Sequence, residues 1–406
     1  MFTLVAVCAA VLGGLNLCLA SSNPSPDVVT LIRSASRFSH KMYKELSSDL
    51  KVAVYSPFSA HAALSMAYLG ARGTTADQMK SVLQLSSLPL PHEAYKSLLE
   101  SLNYVQGVVV YTANGIWVND QIKLRDDYKS SVVNFYNATA EQINFSAPGG
   151  PHVPINQWVA DRTDDTIKDL LKADDIKPST AAVLVNALYF NGTWKLPFNP
   201  DNTFKGQFQS RERMVIEADF MNRVGRFGVK LSAAGNVDVV KLPFTNENFS
   251  FYIVLPRDIT DFPSLESRIS GDDFDDSVFF TDVRPKYVNL TLPKFSITAT
   301  LNLKNPLSNL GMPIAFSKDA DFSGIADAGL LITDVVQKAV IEVVETGTVA
   351  TAASFVDVGI KSGYGFEDPY KIVADRPFIF YIRDDDNGLI LFQGKQTDPT
   401  TNTVEN

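Results

Sequence analysis

Apolar side chains recur at Leu31, Ala35, Phe38, Met42 and Leu46 with the three- and four-residue spacing of one helix face. Ser25-Pro26-Asp27 ahead of them supplies a cap and a first-turn proline, so the spacing predicts a helix over 27–46. The next stretch reads as a short strand near Val54, a Ser56-Pro57 helix start, a small-residue helix through Leu69 stopped at Gly70, and a second helix after Thr75. A proline-broken connector over 85–91 leads to an amphipathic helix over 94–102. Alternation over 108–118 predicts a strand, and after a loop at 146–154 a helix runs from Ile155 through Leu171. Residues 182–190 are nearly all apolar, the mark of a strand buried on both faces. From Asn236 the pattern turns mainly to strands, at 237–242, 249–255, 288–292, 295–300, 335–344, 378–383 and 389–393. Asp386-Asn387-Gly388 between the last two is a hairpin signal.

One stretch, 343–362, asks for two things at once. Its alternate positions Thr348, Ala350, Ala352, Ser354, Val356, Val358 and Ile360 are small and then β-branched, a face that fits a sheet interior. The other face carries Val349, Thr351, Ala353, Phe355, Asp357, Gly359 and Lys361, mixed enough to meet solvent. Gly347 at one end and Gly359, Gly363 and Gly365 with Ser362 at the other mark flexible joints. The pattern is that of a strand held in reserve.

Composition fits an ordinary globular chain: 406 residues, 45% apolar and 20% charged, with no repeat or linker-like shift to divide it. A single mixed α+β domain over 21–406 is expected. Residues 1–20 carry no charged side chain and end Cys18-Leu19-Ala20, which reads as a cleaved secretory signal instead of a membrane anchor. Both cysteines, Cys8 and Cys18, lie in that segment, so the mature chain would hold no disulfide and would depend on core packing. Sequons at Asn137, Asn144, Asn191, Asn248 and Asn289 fit an extracellular protein, although Asn289 sits in a strand-like run. The net charge of −9 argues against a nucleic-acid surface and against a heparin-like polyanion as an obligate cofactor.

Catalytic patterns are missing. There is no G-x-S-x-G elbow, H-E-x-x-H, phosphate loop or G-x-G-x-x-G, and the four histidines are His40, His61, His92 and His152. His61 is expected as a packed core or boundary histidine, and the acidic run 271–276 lacks calcium-loop spacing. No metal, cofactor or enzymatic activity is expected.

Several separated stretches together resemble the serpin family over almost all of the mature chain. They are Ser56-Pro57-Phe58-Ser59 with 64–70; the block from Asn186 through Trp194 to Phe198; Leu292-Pro293-Lys294-Phe295; Leu310-Gly311-Met312; and 320–325. Gln337-Lys338-Ala339-Val340 then precedes Glu345-Thr346-Gly347-Thr348, and Ala374-Asp375-Arg376-Pro377-Phe378 and 391–395 complete the order. The resemblance implies three β-sheets, eight or nine helices and a reactive-centre loop at about 345–376. It implies a single-use inhibitor of the secreted type: a serine protease cuts the loop, and the freed hinge enters the main sheet as an extra strand, carrying the acylated enzyme with it.

The hinge is then Glu345, Thr346, Gly347, Thr348, Val349, Ala350, Thr351, Ala352, Ala353 and Ser354. It departs from the inhibitory pattern at Thr346, Val349, Thr351 and Ser354, while the inward Thr348, Ala350 and Ala352 stay small. Ser56, Asn186, Trp194 and Gln337 fall where the family's sheet opens. Relatives place an Asn and a His across that point; here the matching positions are Val52 and Gln337, so that pair is expected to be lost. Spacing from the hinge puts the scissile bond at Lys361-Ser362, which implies a trypsin-like protease as covalent partner. Cleavage at Tyr364 or Phe366 would aim at chymotrypsin-like enzymes, and a non-inhibitory carrier or scaffold is the other alternative. A monomer is expected.

Overall fold

The computed structural model describes residues 24–47, 53–102, 107–233, 236–271, 274–275, 277–327, 329–348 and 368–406. In chain order the elements are α1 (Pro26–Ser47), β1 (Ala53–Tyr55), α2 (Pro57–Gly70), α3 (Gly73–Val82), α4 (Pro91–Leu102), β2 (Val108–Val118), α5 (Asp126–Tyr136), β3 (Thr139–Gln142), α6 (His152–Arg162) and β4 (Ala182–Gly192). The second half adds β5 (Phe204–Gln209), β6 (Val215–Ala233), β7 (Val237–Pro243), β8 (Phe249–Pro256), α7 (Phe262–Ile269), α8 (Ser277–Phe280), β9 (Arg284–Pro293) and β10 (Phe295–Asn302). It ends with α9 (Lys304–Asn309), β11 (Asp334–Val343), β12 (Tyr370–Val373), β13 (Phe378–Asp384), β14 (Ile390–Gln396) and β15 (Thr403–Glu405). Nine α-helices therefore lie among the described residues, within the expected number.

Two hydrogen-bonded sheets carry the strands. A six-stranded sheet runs β15-β10-β11-β4-β2-β3, and a nine-stranded one runs β1-β14-β13-β8-β7-β6-β9-β12 with β5 on β6. The three expected sheets emerge only when the larger one is divided at β6. This 19-residue strand pairs with β9 over Phe220–Val229 and with β7 from Gly228 onward, so one strand belongs to two layers.

The six-stranded sheet is covered on both faces. Ala182, Leu184, Leu188 and Phe190 of β4 join the large core with α1 and α2. Their neighbours Val183, Val185, Ala187 and Tyr189 join a second core with Ile155 and Val159 of α6 and with Ile167, Leu170 and Leu171 beyond it. Period-2 alternation with apolar residues on both sides is why 182–190 reads as a continuous apolar run.

The expected helix from Ile155 to Leu171 stops at Arg162. Thr163 turns its hydroxyl back to the Val159 carbonyl (2.7 Å) and accepts from the Ile167 amide (3.2 Å), and Asp164, Asp165 and Asp169 hold φ of 50°, 58° and 52°. Asp tolerates this left-handed backbone, which a helix cannot contain. Ile167, Leu170 and Leu171 keep a helical spacing yet reach the second core from an irregular segment. The pattern also left α5, α7, α8, α9, β3, β5, β6, β12 and β15 unpredicted.

Candidate functional site

β4 and β11 meet as parallel strands through seven register pairs, from Val183↔Asp334 to Tyr189↔Val340. Above Tyr189 and Val340 the two strands are no longer paired with each other, although β4 continues to Gly192 and β11 to Val343. The joint thus has a closed lower part and an open mouth.

The closed part is crossed by a buried polar network. Gln337 lies in register with Asn186, and Asn186 with Asn114 on β2. The Gln337 amide nitrogen donates to the Ser56 carbonyl at 2.9 Å and to the Asn186 side-chain oxygen, while its oxygen accepts from the Ser56 amide at 2.9 Å. Asn186 in turn donates to the Ser59 hydroxyl and to the Asn114 oxygen. Ser56 also accepts from the Ser59 amide at 3.1 Å, capping α2. These side chains are buried, so the network holds β11, β4, β2 and the start of α2 together only while its polar atoms stay paired. Gln337 therefore occupies the joint with its side-chain amide paired; Val52, the other position of the expected pair, lies outside the described residues. Ser59 was read from the sequence only as part of the stretch 56–59 and Asn114 was not singled out, although a polar Asn inside the apolar run of 108–118 was a usable signal.

The stretch expected to be the hinge begins at the mouth. After β11 the chain turns tightly over Glu345-Thr346, with Val344 N to Gly347 O at 3.0 Å and Gly347 N to Val344 O at 3.3 Å. Gly347 bridges Val344 on one side and Thr193 on the other. A Cβ on Gly347 would stand 2.0 Å from the Gly192 carbonyl oxygen and 2.8 Å from the Thr193 Cα, so only glycine fits this approach. Thr348 follows with no exposed surface: its amide donates to Gly192 O at 2.8 Å, and its hydroxyl accepts from Gly192 N at 2.8 Å. The first inward hinge position is already seated beside the end of β4.

Trp194 and Glu345 fix the turn. The Trp194 indole N–H donates to Val344 O at 2.8 Å, its amide donates to Thr346 O at 2.9 Å, and its ring stacks on Phe244 at 4.8 Å. The Glu345 carboxylate accepts from the Thr203 hydroxyl at 2.7 Å and pairs with Lys294 at 3.0 Å. Burial pulls this carboxyl upward, but the Thr203 hydroxyl, the residue's own amide and Lys294 outweigh it and hold the group below its ordinary value. Val349, Ala350, Thr351, Ala352, Ala353 and Ser354 of the hinge, and Lys361, Ser362, Tyr364 and Phe366, lie outside the described residues.

In front of the joint, the segment after α6 is held by Asn156, whose side chain donates to Leu171 O and accepts from Leu171 N, both at 2.9 Å. Lys338 on β11 donates to the carbonyl oxygens of Lys168 and Asp169. The sequons fall into two groups: Asn137, Asn144 and Asn248 are exposed, whereas Asn191 on β4 and Asn289 on β9 are half-buried. Asn289 also accepts from Asn222 at 2.7 Å. His61 is fully buried between Tyr95 and the Leu83 carbonyl. Among the described residues no helix is long and apolar enough to cross a membrane, and no three His, Cys, Asp or Glu side chains group to hold a metal ion.

A family model described as Serpin (serine protease inhibitor) matches residues 33–399. Serine protease inhibitor 42Dd of Drosophila melanogaster is 34% identical over 351 residues, covering 85% of this chain and 91% of that protein. Among solved structures, Serpin48 of the insect Tenebrio molitor, titled a highly specific serpin, aligns with a TM-score of 0.81 at 32% identity over 91% of this chain and 98% of its own. Human thyroxine-binding globulin complexed with thyroxine aligns with a TM-score of 0.83 at 26% identity over 92% of this chain and 100% of its own.

Proposed function

We propose, from the premise that this chain belongs to the serpin family, that it is a secreted, single-use inhibitor of trypsin-like serine proteases. Members of the family are generally protease inhibitors or binding proteins, not catalysts. The observation that carries the inhibitory reading is the seat of the hinge, with Gly347 bridging Val344 and Thr193 at the mouth of a parallel joint.

A strand entering there exchanges one ladder for two. Seven β4–β11 register pairs are given up, and the entering strand pairs with both neighbours. The net gain is about one ladder. At about 0.5–1.5 kcal/mol per hydrogen bond, a strand of roughly a dozen residues contributes on the order of 10 kcal/mol, before side-chain burial. That matches the stability of a whole domain and suffices to distort a protease acylated at the loop, so that its nucleophile leaves base and oxyanion hole. The protease would attack the Lys361 carbonyl, the Ser362 amine would leave, and the ester would persist. Small residues at Ala350 and Ala352 suit the buried face of the new strand.

Secretion through residues 1–20, a mature domain over 21–406 and glycans on the exposed sequons belong to the same reading. Incubation with a trypsin-like and a chymotrypsin-like protease, followed by denaturing electrophoresis, tests it. A complex that survives SDS only with the trypsin-like enzyme, a released peptide beginning at Ser362, and loss of inhibition in Lys361→Ala support it. A peptide beginning after Tyr364 or Phe366 reassigns the target class. Quantitative cleavage without a complex would leave the carrier reading, which the likeness to thyroxine-binding globulin favours.

A further inference from the structure

β15 and β10 form one block with β11. β15 pairs with β10 through Thr403, Val404 and Glu405, and β10 pairs with β11 through eight register positions. Val404 is buried in the large core, the Thr298 amide donates to Asn402 O at 2.8 Å, and the Asn302 amide donates to the Asn406 side chain at 2.7 Å. Across the joint, the segment after α6 packs Ile167, Leu170 and Leu171 against Val183 and Val185, and then runs directly into β4. Each side of the joint thus carries its own attachments.

An ion pair also joins them, beside the Lys338 bonds from β11 to the Lys168 and Asp169 carbonyls on the same segment. Lys172 Nζ, on the segment that leads into β4, lies 2.6 Å from the Glu405 carboxylate on β15. The Lys172 amide donates to Asp175 at 2.7 Å, which fixes the backbone from which the side chain reaches. The pair borders a 350 Å³ cavity lined also by Leu171, Thr180, Val336 and Asp334. An inserted strand separates β4 from β11 by one further strand spacing, about 4.8 Å. A contact of 2.6 Å between groups that travel with opposite sides does not survive that step.

We propose that β15 is a strap and that Glu405–Lys172 is its clasp, holding the post-α6 segment over the closed joint and slowing the entry of a strand between β4 and β11. Its role in insertion rests on the insertion reading above; its hold on the segment does not. Both side chains are more than half exposed or at half, 67% and 50%, so the clasp has the modest strength of a surface pair. It sets a rate without deciding the fold.

Hydrogen exchange of the full-length protein tests the hold directly. Glu405→Gln and Lys172→Gln should each speed exchange of amides in 163–181 by about two- to fivefold, the range an exposed ion pair supports. The reversed pair Lys172→Glu with Glu405→Lys should restore the slower rate, which loss of mere local order would not do. Unchanged exchange in both single variants, or no recovery in the reversed pair, overturns the proposal. A synthetic peptide with the sequence of residues 348–360 then reads insertion without any protease: it should anneal faster by the same factor in the single variants. Equal annealing rates overturn the strap's control of entry; a wild-type protein that refuses the peptide overturns the insertion reading, while exchange still decides the clasp.

Discussion

Replacing Thr348 by Arg puts a charge where the hinge must enter first. The wild-type residue has no exposed surface and exchanges two hydrogen bonds with the Gly192 backbone at 2.8 Å, one through its amide and one through its hydroxyl. Loss of both costs about 1–3 kcal/mol. An unpaired guanidinium drawn into the same seat costs about 3–5 kcal/mol, so the native hinge is expelled and insertion starts against that barrier. Each 1.36 kcal/mol is about a factor of ten in rate, which slows insertion by about 10²–10⁴-fold. Hydrolysis of the acyl-enzyme then wins. Titration of a trypsin-like protease, read by residual activity and by SDS-stable complex, should show near-stoichiometric inhibition for wild type. Thr348→Arg should be cut at the same bond yet yield little complex. Thr348→Val removes the hydroxyl and keeps the size, so it should fall between the two. Equal stoichiometry for Thr348→Arg and wild type would refute the reasoning.

Three further outcomes are expected. Gln337→Leu strands the buried Ser56 amide and the Asn186 side-chain oxygen, while the Ser56 carbonyl keeps the Ala60 amide, and should lower stability by about 2–6 kcal/mol in urea unfolding; a loss under about 1 kcal/mol would mean that the network does not hold the joint. The His61 ring N–H donates to Leu83 O, and burial lowers its pKa to about 4. The unfolded chain therefore takes up this proton near pH 6.5 and the folded one only near 4, so stability from this group is full above 6.5 and falls by about 3 kcal/mol as pH drops to 4. Asp384, raised by burial to about 6, works in the opposite direction over the same range, so the comparison is with His61→Gln, which should lose stability less steeply on acidification; parallel curves would reject the assignment. In a secretory host, mass spectrometry should find glycans on Asn137, Asn144 and Asn248 and none on Asn289, whose side chain is bonded within paired strands; a fully occupied Asn289 would contradict this.

Legibility in the sequence followed the strength of local signals. Residues 108–118 form β2 with the expected bounds, and 182–190 become the two-face-buried β4. The post-α6 segment misled because Ile167, Leu170 and Leu171 hold helical spacing while Asp164, Asp165 and Asp169 break the helix through their backbone angles. β6 escaped because its burial alternates irregularly along 19 residues, reflecting partners that change from β9 to β7. At the site, Gly347 and Thr348 were readable as a joint and an inward position. What they touch was not: Gly192 and Thr193, and Thr203 and Lys294 around the neighbouring Glu345, come from distant strands and loops, and their relevance exists only once the sheet brings them to the mouth.

The melting temperature before and after limited cleavage of the 349–367 stretch tests strand insertion most directly. For a domain of this size the unfolding entropy is about 0.8 kcal/mol/K, so a gain on the order of 10 kcal/mol raises the midpoint by about 10–20 °C. The account predicts a rise of that size in the cleaved protein with both fragments still associated. A cleaved protein that melts at or below the temperature of the intact one would contradict it.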